Sequence, residues 1–262
     1  MMRLGVALAA ASLAATACAP ASSGQAGETA RAELPAPILP SLPRQRIVLM
    51  SSLPLVYGAG VDMAGVIAGK ADPHPLHRAL AEAHDLVVPD ILDAAAFEGA
   101  RLAILVQPRG LSPQELVALD GYVRQGGRLL LFADPMLEWP RGAGLADPAG
   151  PVRTSLLSPL LSHWGLELLD PAIESVRLGK SGAILVHPGQ FGVLHGRIGD
   201  AACTLESSAH LARCRVGRGH AVLVADADML DPAILEKPGQ TARANRMLVR
   251  DLITGLVAGD TS

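Results

Sequence analysis

Residues 102–135 read LAILVQPRGLSPQELVALDGYVRQGGRLLLFADP, and this stretch decides the fold. It contains two short apolar runs, Ile104–Val106 and Leu129–Phe132, which are typical of strands buried on both faces of a sheet. Between the two runs, apolar side chains repeat at helical spacing, at Leu116, Leu119 and Val123. The stretch therefore predicts a strand, a helix and a second strand that runs parallel to the first.

Both ends of this predicted helix are marked in the sequence. Ser112 and Glu115 have the spacing of a capping box, and Pro113 suits the first helical turn. Gly126–Gly127 can adopt the positive φ that ends a helix. We therefore expect a helix from Pro113 to the residues just before the glycine pair.

Other segments extend this unit into one α/β domain. Apolar runs at Ile47, Leu86, Ile104 and Leu129 predict adjacent strands in a flavodoxin-like parallel sheet with helices on both faces. The loop after the strand at Ile47 contains Gly58, and such a loop is a common ligand site in open α/β sheets. Shorter strands and turns are expected between residues 166 and 215, as a small antiparallel extension. The closing helix is predicted to place one apolar face inward, formed by Met247, Leu248, Leu252 and Leu256.

The composition excludes some classes of function. The chain has 262 residues, a net charge of −3 and only 3% aromatic residues. A nucleic-acid-binding domain normally has a basic face, and base-stacking surfaces need aromatic side chains. We therefore expect no nucleic acid partner, and no motif predicts a cofactor.

The N-terminal residues are expected to direct export. Arg3 and the apolar stretch Leu4–Ala15 are typical of a signal peptide, here residues 1–17, and the stretch is too short to span a membrane. Cleavage before Cys18 would leave a cysteine for lipidation, whereas cleavage after Ala21 would give an unanchored periplasmic protein. Residues 18–43 are rich in Pro, Ala and Ser and predict a tether, so the folded domain is expected to be 44–262.

Cys203 and Cys214 predict a disulfide. In an oxidising compartment, their separation of eleven residues suits two antiparallel strands or the base of a surface loop. A metal site that uses both cysteines is disfavoured, because no closely spaced Cys or His accompanies them.

Three stretches resemble one known family. They are residues 116–135, VGRGHAVLVADADML at 216–230 and ANRMLVRDLITGLVAG at 244–259. Together they are similar to the periplasmic domain of the gliding-motility-type auxiliary component of ABC transporters, an uncharacterised ABC-type transport system domain. The residues that match the motifs of this family are Gly217, Gly219, Asp226, Asp228, Asn245 and Arg246.

The resemblance implies a class I glutamine-amidotransferase-like fold and a role in transport. Members of the family usually have transmembrane helices, but this sequence has no sufficiently long apolar run after residue 20. An association with an ABC transporter permease, or with other envelope proteins, would therefore depend on protein contacts or on a lipid anchor at Cys18.

Asp134, Asp226 and Asp228 are the candidate ligand-binding carboxylates. Each follows a predicted buried strand at the carboxyl edge of the sheet, where ligands bind in this fold. Three carboxylates at one edge could coordinate a divalent cation. Alternatively, they accept backbone hydrogen bonds and stabilise the turns after the strands.

The position of a catalytic nucleophile is not occupied by Cys or Ser. The turn after Val106 has the sequence Gln107–Gly110, so the cysteine of an amidotransferase is missing there. Arg109, in the same turn, is a candidate contact for an anionic ligand or a partner. Histidine clusters give a weaker metal hypothesis, either at His74, His77 and His84 or at His187 and His195.

We derive three functional hypotheses. The first is an exported, lipid-anchored and non-catalytic auxiliary or binding component of an ABC-type transport system. The second is an amidotransferase-like or trehalose-utilisation-like hydrolase that uses the strand-end carboxylates or a metal ion. The third is a structural envelope lipoprotein that only binds other proteins.

Overall fold

A seven-stranded sheet forms the centre of the protein, with the strand order 2-1-3-4-11-10-9. A computed structural model describes residues 43–61, 63–140, 150–179, 181–194 and 201–259. The strands and helices are β1 (Arg46–Ser51), α1 (Met63–Ile67), α2 (Pro75–Ala83), β2 (Asp85–Val87), β3 (Ala100–Val106), α3 (Pro113–Arg124), β4 (Arg128–Phe132), α4 (Ser158–His163), β5 (Leu166–Leu168), β6 (Val176–Arg177), β7 (Ile184–Leu185), β8 (Phe191–Val193), β9 (Ala201–Glu206), β10 (Leu211–Val216), β11 (Gly219–Val224), α5 (Pro232–Leu235) and α6 (Gln240–Ala258).

The fold class predicted from the sequence is confirmed. Strands β2, β1, β3, β4 and β11 pair in parallel, which is the flavodoxin-like order. Strands β10 and β9 add two antiparallel strands at one side, and β5–β8 and β6–β7 form two small antiparallel sheets. The expected antiparallel extension therefore comes after β4 in the chain. It includes β9 and β10, which form one edge of the main sheet.

Helix α3 begins as its sequence predicts. The Ser112 hydroxyl accepts a hydrogen bond from the Glu115 backbone N–H, and the Glu115 carboxylate accepts one from the Ser112 N–H. This capping box satisfies two of the N–H groups that a helix start leaves without partners. Gly126 follows the helix with φ +112°, so the expected glycine stop is also present.

Alternating side chains of each central strand enter two separate apolar layers. On β4, Leu130 and Phe132 face the layer that also includes residues of α2 and α6. Leu129 and Leu131 face the opposite layer, together with residues of α3 and α4. Each fully buried leucine contributes about 1.5–3 kcal/mol to stability, so both layers are needed to hold the sheet.

The closing helix differs from its prediction in two respects. The sequence predicts a closing helix over Asn245–Val257, but α6 begins at Gln240, five residues earlier. Met247 was expected to be buried but is 43% exposed, whereas Leu252 and Leu256 are buried as expected. The buried face is rotated because Asn245 points inward, where its amide bonds to the backbone of Ile184 and Met229. The sequence also predicts a helical turn over Ile91–Gly99, but residues 94–99 form turns without a helix.

The predicted disulfide joins Cys203 and Cys214, which lie directly opposite each other on β9 and β10. The spacing allowed either two antiparallel strands or the base of a surface loop, and the structure has two antiparallel strands. The predicted signal peptide, Cys18 and the tether before Pro43 lie outside the described residues. No helix in the described part of the chain is long and apolar enough to cross a membrane.

Removal of the disulfide should destabilise the protein. We expect the double substitution Cys203→Ser/Cys214→Ser to lower the free energy of unfolding by about 3 kcal/mol, because the cross-link restricts the unfolded chain. Urea denaturation of the oxidised protein and of the variant measures the difference. The reduced wild-type protein serves as the control and should match the variant, and equal midpoints for all three would contradict the expectation.

Candidate functional site at the carboxyl edge of the sheet

Three polar residues follow three adjacent parallel strands. Gln107 comes directly after β3, Asp134 follows β4 by two residues, and Asp226 follows β11 by two residues. Because these strands are neighbours and run parallel, their carboxyl ends bring the three residues to one edge of the sheet. This is the edge at which open α/β sheets bind their ligands.

The three aspartates singled out in the sequence lie together at this edge. The ligating oxygens of Asp134, Asp226 and Asp228 lie within 4.8 Å of one another. In the described ranges, this is the one group of three or more His, Cys, Asp or Glu side chains that is close enough to hold a metal ion. All three side chains are buried, and Asp134 and Asp226 are fully excluded from solvent.

Backbone N–H groups occupy the carboxylate oxygens of this aspartate cluster. Each of the six oxygens accepts at least one such hydrogen bond, and the donors come from the loops after β4, β7 and β11. The donors and their N···O distances are Met136 (2.8 Å), Ala227 (2.9 Å) and Asp228 (3.4 Å) for Asp134, Val186 (2.7 Å) and Met229 (3.2 Å) for Asp226, and Glu138 (2.8 Å) and Trp139 (2.6 Å) for Asp228.

Burial makes the charged form of these carboxyl groups costly. It raises the pKa of Asp226 well above the ordinary value, and the nearby charge of Asp134 raises that pKa further. Burial also raises the pKa of Asp134, and it raises the pKa of Asp228 to about 6. For Asp134, the hydrogen bonds from the backbone N–H groups of Ala227, Met136 and Asp228 oppose this rise in pKa. Burial and mutual repulsion thus both disfavour three negative charges in the cluster.

The hydrogen bonds match the second of the two roles expected for these aspartates, the stabilisation of turns. A divalent cation would have to compete with the backbone donors for the same oxygens. Each displaced N–H group, if left buried without an acceptor, would cost about 1–3 kcal/mol. A ligand or metal role for Asp134, Asp226 and Asp228 therefore stays a prediction.

Gln107 occupies the sharp turn after β3, where a nucleophile would stand. Its φ is +40°, an uncommon value for a residue other than glycine, and its side chain is fully buried. The side-chain amide donates to the carbonyls of Asp134 (3.0 Å) and Val152 (3.1 Å) and accepts from the Asp134 N–H (2.8 Å). The side chain thus connects the ends of β3 and β4.

This structural role of Gln107 was not predicted from the sequence, which indicated only that a nucleophile was missing. A long amide side chain directly after a buried strand was the available signal. A bent backbone at this position, combined with a fully engaged amide, gives the geometry of a nucleophile turn without a nucleophile.

Arg109 does not join the aspartate cluster through any of its hydrogen bonds. Its guanidinium binds the Glu115 carboxylate, with a shortest N···O distance of 2.7 Å, and also donates to the carbonyls of Gly110 and Asp90. Glu115 is buried and also accepts from the Leu92 N–H. The Arg109 guanidinium therefore holds the pKa of Glu115 far below its usual range. Arg109 fixes the loop after β3, and its predicted ligand contact stays a prediction.

A cleft of about 500 Å³ opens beside Arg109. Its walls come from the loops after β1, β2 and β3, and they include Ser52, Tyr57, Val88 and Asp90. Tyr57 and Val88 are exposed at its rim. In the 2-1-3-4 order the strand order reverses between β1 and β3, and ligands of doubly wound sheets bind at such a switch point. The cleft therefore matches the expectation for the loop after the first strand.

His74, His77 and His84 do not form a group close enough to hold a metal ion in the described part of the chain. His74 caps α2 through the Leu76 N–H, and its other ring nitrogen lies 2.7 Å from the Leu230 carbonyl oxygen. His187 lies 2.7 Å from the Glu138 carboxylate. His195 lies outside the described residues, so the pairing of His187 with His195 stays a prediction.

Comparisons with known proteins give one family and several distant structures. The profile of the family described as "ABC-type uncharacterized transport system" matches residues 44–177, slightly more than half of the 262 residues. No curated protein matches the chain.

Among solved structures, the chain is similar to an exo-β-1,4-mannosidase from Opitutaceae bacterium strain TAV5, with 16% identity and a TM-score of 0.40 over 83% of this chain and 35% of that one. It is also similar to a cytoplasmic protein from Salmonella typhimurium, with 10% identity and a TM-score of 0.42 over 80% and 98% of the two chains. A ThuA-like protein from Bacteroides uniformis has 8% identity and a TM-score of 0.40 over 85% and 95%. The chain thus spans only 35% of the length of the mannosidase.

The backbone at Gln107 gives a direct test of the turn geometry. We expect Gln107→Gly to be more stable than Gln107→Ala by about 1 kcal/mol, because glycine adopts a positive φ without steric cost. Both variants lose the same side-chain hydrogen bonds and should be less stable than the wild type. Urea denaturation measures all three, and a more stable alanine variant would contradict the positive φ.

The raised pKa of Asp228 predicts a distinctive pH dependence. The folded protein binds more protons than the unfolded chain between about pH 4 and pH 6, so Asp228 makes the free energy of unfolding fall as the pH rises through this range. Asp228→Asn should remove this contribution, which is on the order of 3 kcal/mol for a pKa rise of about two units. Denaturation of both proteins across the range measures the two slopes. Parallel slopes would show that Asp228 titrates normally.

Proposed function

The chain belongs to the ABC-type uncharacterized transport system family, and we propose that it is an exported, lipid-anchored and non-catalytic auxiliary protein of an ABC-type transport system. Membership in the family implies an auxiliary component of such a system. The family match supports the role in transport. The contacts of the described residues at the carboxyl edge support the non-catalytic role.

Gln107 supports a non-catalytic role. The turn after β3 is the place where this fold positions a nucleophile. Gln107 stands there, and its side chain is buried and makes three hydrogen bonds to the backbone. An amide with all these contacts is unavailable to attack a substrate. The loops at this edge would then serve for binding, and the cleft beside Arg109 is the proposed binding surface.

Export is supported by the disulfide and by the N-terminal sequence. The Cys203–Cys214 bond suits an oxidising compartment, such as the periplasm. The apolar stretch Leu4–Ala15, followed by Cys18 and a proline-rich segment, suits a lipoprotein that extends its domain away from the membrane. An ordinary periplasmic protein cleaved after Ala21 is the alternative for this segment.

The hydrolase hypothesis remains the second candidate because the aspartate cluster gathers three carboxyl groups at the edge used for catalysis. Calorimetric titration of the full chain with Mg²⁺, Mn²⁺, Ca²⁺ or Zn²⁺ separates the two candidates. A stoichiometric site that disappears in Asp226→Asn would favour the hydrolase. The absence of such a site, together with copurification of transporter subunits, would favour the auxiliary role over both the hydrolase and a structural lipoprotein.

The anchor has its own test. We expect Cys18→Ser to move the protein from the membrane fraction to the soluble periplasmic fraction, because the acyl chains can no longer be attached. Membranes are washed at high salt, which screens electrostatic attraction and leaves the lipid anchor as the dominant attachment. Cys203→Ser/Cys214→Ser serves as the control for a general effect of cysteine loss and should stay with the membrane. Unchanged membrane association of Cys18→Ser would refute lipidation.

A further inference from the structure

Arginine side chains collect at the amino edge of the sheet, opposite the cleft. Helices α2, α3 and α6 all end at this edge, where their last carbonyl groups lack helical partners. Arginines bind these carbonyls at each of the three helix ends. The pairs are Arg44 with α2 (Ala81, Glu82 and His84), Arg218 with α3 (Gln125), and Arg101 and Arg128 with α6 (Leu256 and Val257).

A fifth arginine continues this group across the sheet. Arg215 on β10 pairs in register with His220 on β11, and His220 pairs in register with Arg128 on β4. The three side chains therefore lie side by side on one face of three adjacent strands. Burial lowers the pKa of His220, and the charges of Arg128 and Arg215 lower it further. We call Arg44, Arg101, Arg128, Arg215 and Arg218 the amino-edge basic surface.

Few carboxylates offset the charge of this surface within the described residues. Asp85 is paired with Arg46, and Asp120 is paired with Arg124. Asp251 of α6 is paired with Arg250, and Glu82 and Glu98 also lie on segments that reach this edge. The chain as a whole has a net charge of −3, so the positive charge is a local property of this edge.

Helix capping explains only part of the arrangement. A helix C-terminus carries about half a negative charge, so an arginine that binds its carbonyls keeps much of its own positive charge. The side chain of Arg215 has no ion pair or hydrogen bond among the described residues, and it is exposed. A purely structural role therefore leaves a surplus of charge, and leaves Arg215 unexplained.

The chain enters the domain at the same edge. Arg44 is bound beside the end of α2, and β1 begins at Arg46, so residues before Pro43 connect to the domain here. An extended segment of the 25 residues between Cys18 and Arg44 could reach about 90 Å. Such a long connection would keep the domain near a membrane without fixing its orientation.

We propose that the amino-edge basic surface docks on the anionic phospholipid headgroups of the membrane to which the protein is anchored. The proposal rests on the lipid anchor at Cys18 as its source of proximity. Juxtamembrane basic side chains gain about 1 kcal/mol each from an anionic surface, so a few arginines suffice to orient a tethered domain. The cleft beside Arg109 would then face away from the bilayer, at the far ends of the strands.

Vesicle binding tests the surface independently of the anchor. The full chain with Cys18→Ser is mixed with vesicles of phosphatidylcholine alone or of phosphatidylcholine with phosphatidylglycerol, and bound protein is measured by flotation. Arg215→Glu/Arg218→Glu is compared with Lys237→Glu/Arg243→Glu, which makes the same charge change at exposed positions near the other edge. Circular dichroism confirms that both variants are folded. All proteins contain the same N-terminal segment, so its contribution cancels.

We expect stronger binding to the phosphatidylglycerol vesicles, decreasing with added salt. Arg215→Glu/Arg218→Glu should weaken this binding on the order of thirtyfold or more, whereas Lys237→Glu/Arg243→Glu should change it little. Equal weakening by the two variants would reduce the effect to net charge and overturn the proposal. Equal binding to both kinds of vesicle would overturn it as well. Neither outcome depends on acylation, so failure here is separate from failure of the anchor.

Discussion

The burial of the aspartate cluster is the constraint on which the carboxyl edge of this protein depends. A carboxylate removed from water is tolerated only when hydrogen bonds replace its hydration, and here the loops supply them. Asp134 takes N–H groups from its own loop and from the loop after β11, while Asp226 takes one from the segment after β7. Three loops that are distant in sequence are thereby fixed against one another. These hydrogen bonds therefore set the positions of the loops after β4, β7 and β11.

The same constraint shows how the strand ends of a doubly wound sheet can be used to join loops. In doubly wound sheets, the strand ends are where reactive groups are placed, because loops there are close together and backbone N–H groups point outward. In this chain, the side chains of Gln107 and the aspartates form hydrogen bonds with backbone groups and thereby join the strand ends. The accessible surface is instead at the switch point between β1 and β3, where the loops after β1, β2 and β3 line the cleft.

Local signals predicted the parts of the structure that depend on neighbouring residues. The capping box at Ser112, the glycine that ends α3 and the buried strands all follow from short-range sequence patterns. The spacing of Cys203 and Cys214 likewise suited the pair of antiparallel strands that they join. The use of Gln107, Glu115 and Asn245 was beyond such reasoning, because their partners come from loops far away in the chain. Met247 was misplaced for the same reason: the inward turn of Asn245 shifts the buried face of α6. Long-range polar contacts, rather than hydrophobic periodicity, decide these details.

The direction of the helices gives the two ends of the sheet different electrostatic character. Since α2, α3 and α6 return antiparallel to the strands, their C-terminal carbonyls gather at the amino edge and favour cationic side chains there. Carboxylates gather at the opposite edge, where N–H groups of the loops are available to them. A parallel α/β sheet thus separates positive from negative side chains as a consequence of satisfying its own backbone. With the proposed anchor at Cys18, that separation would place the basic end beside the attachment point and the cleft at the free end.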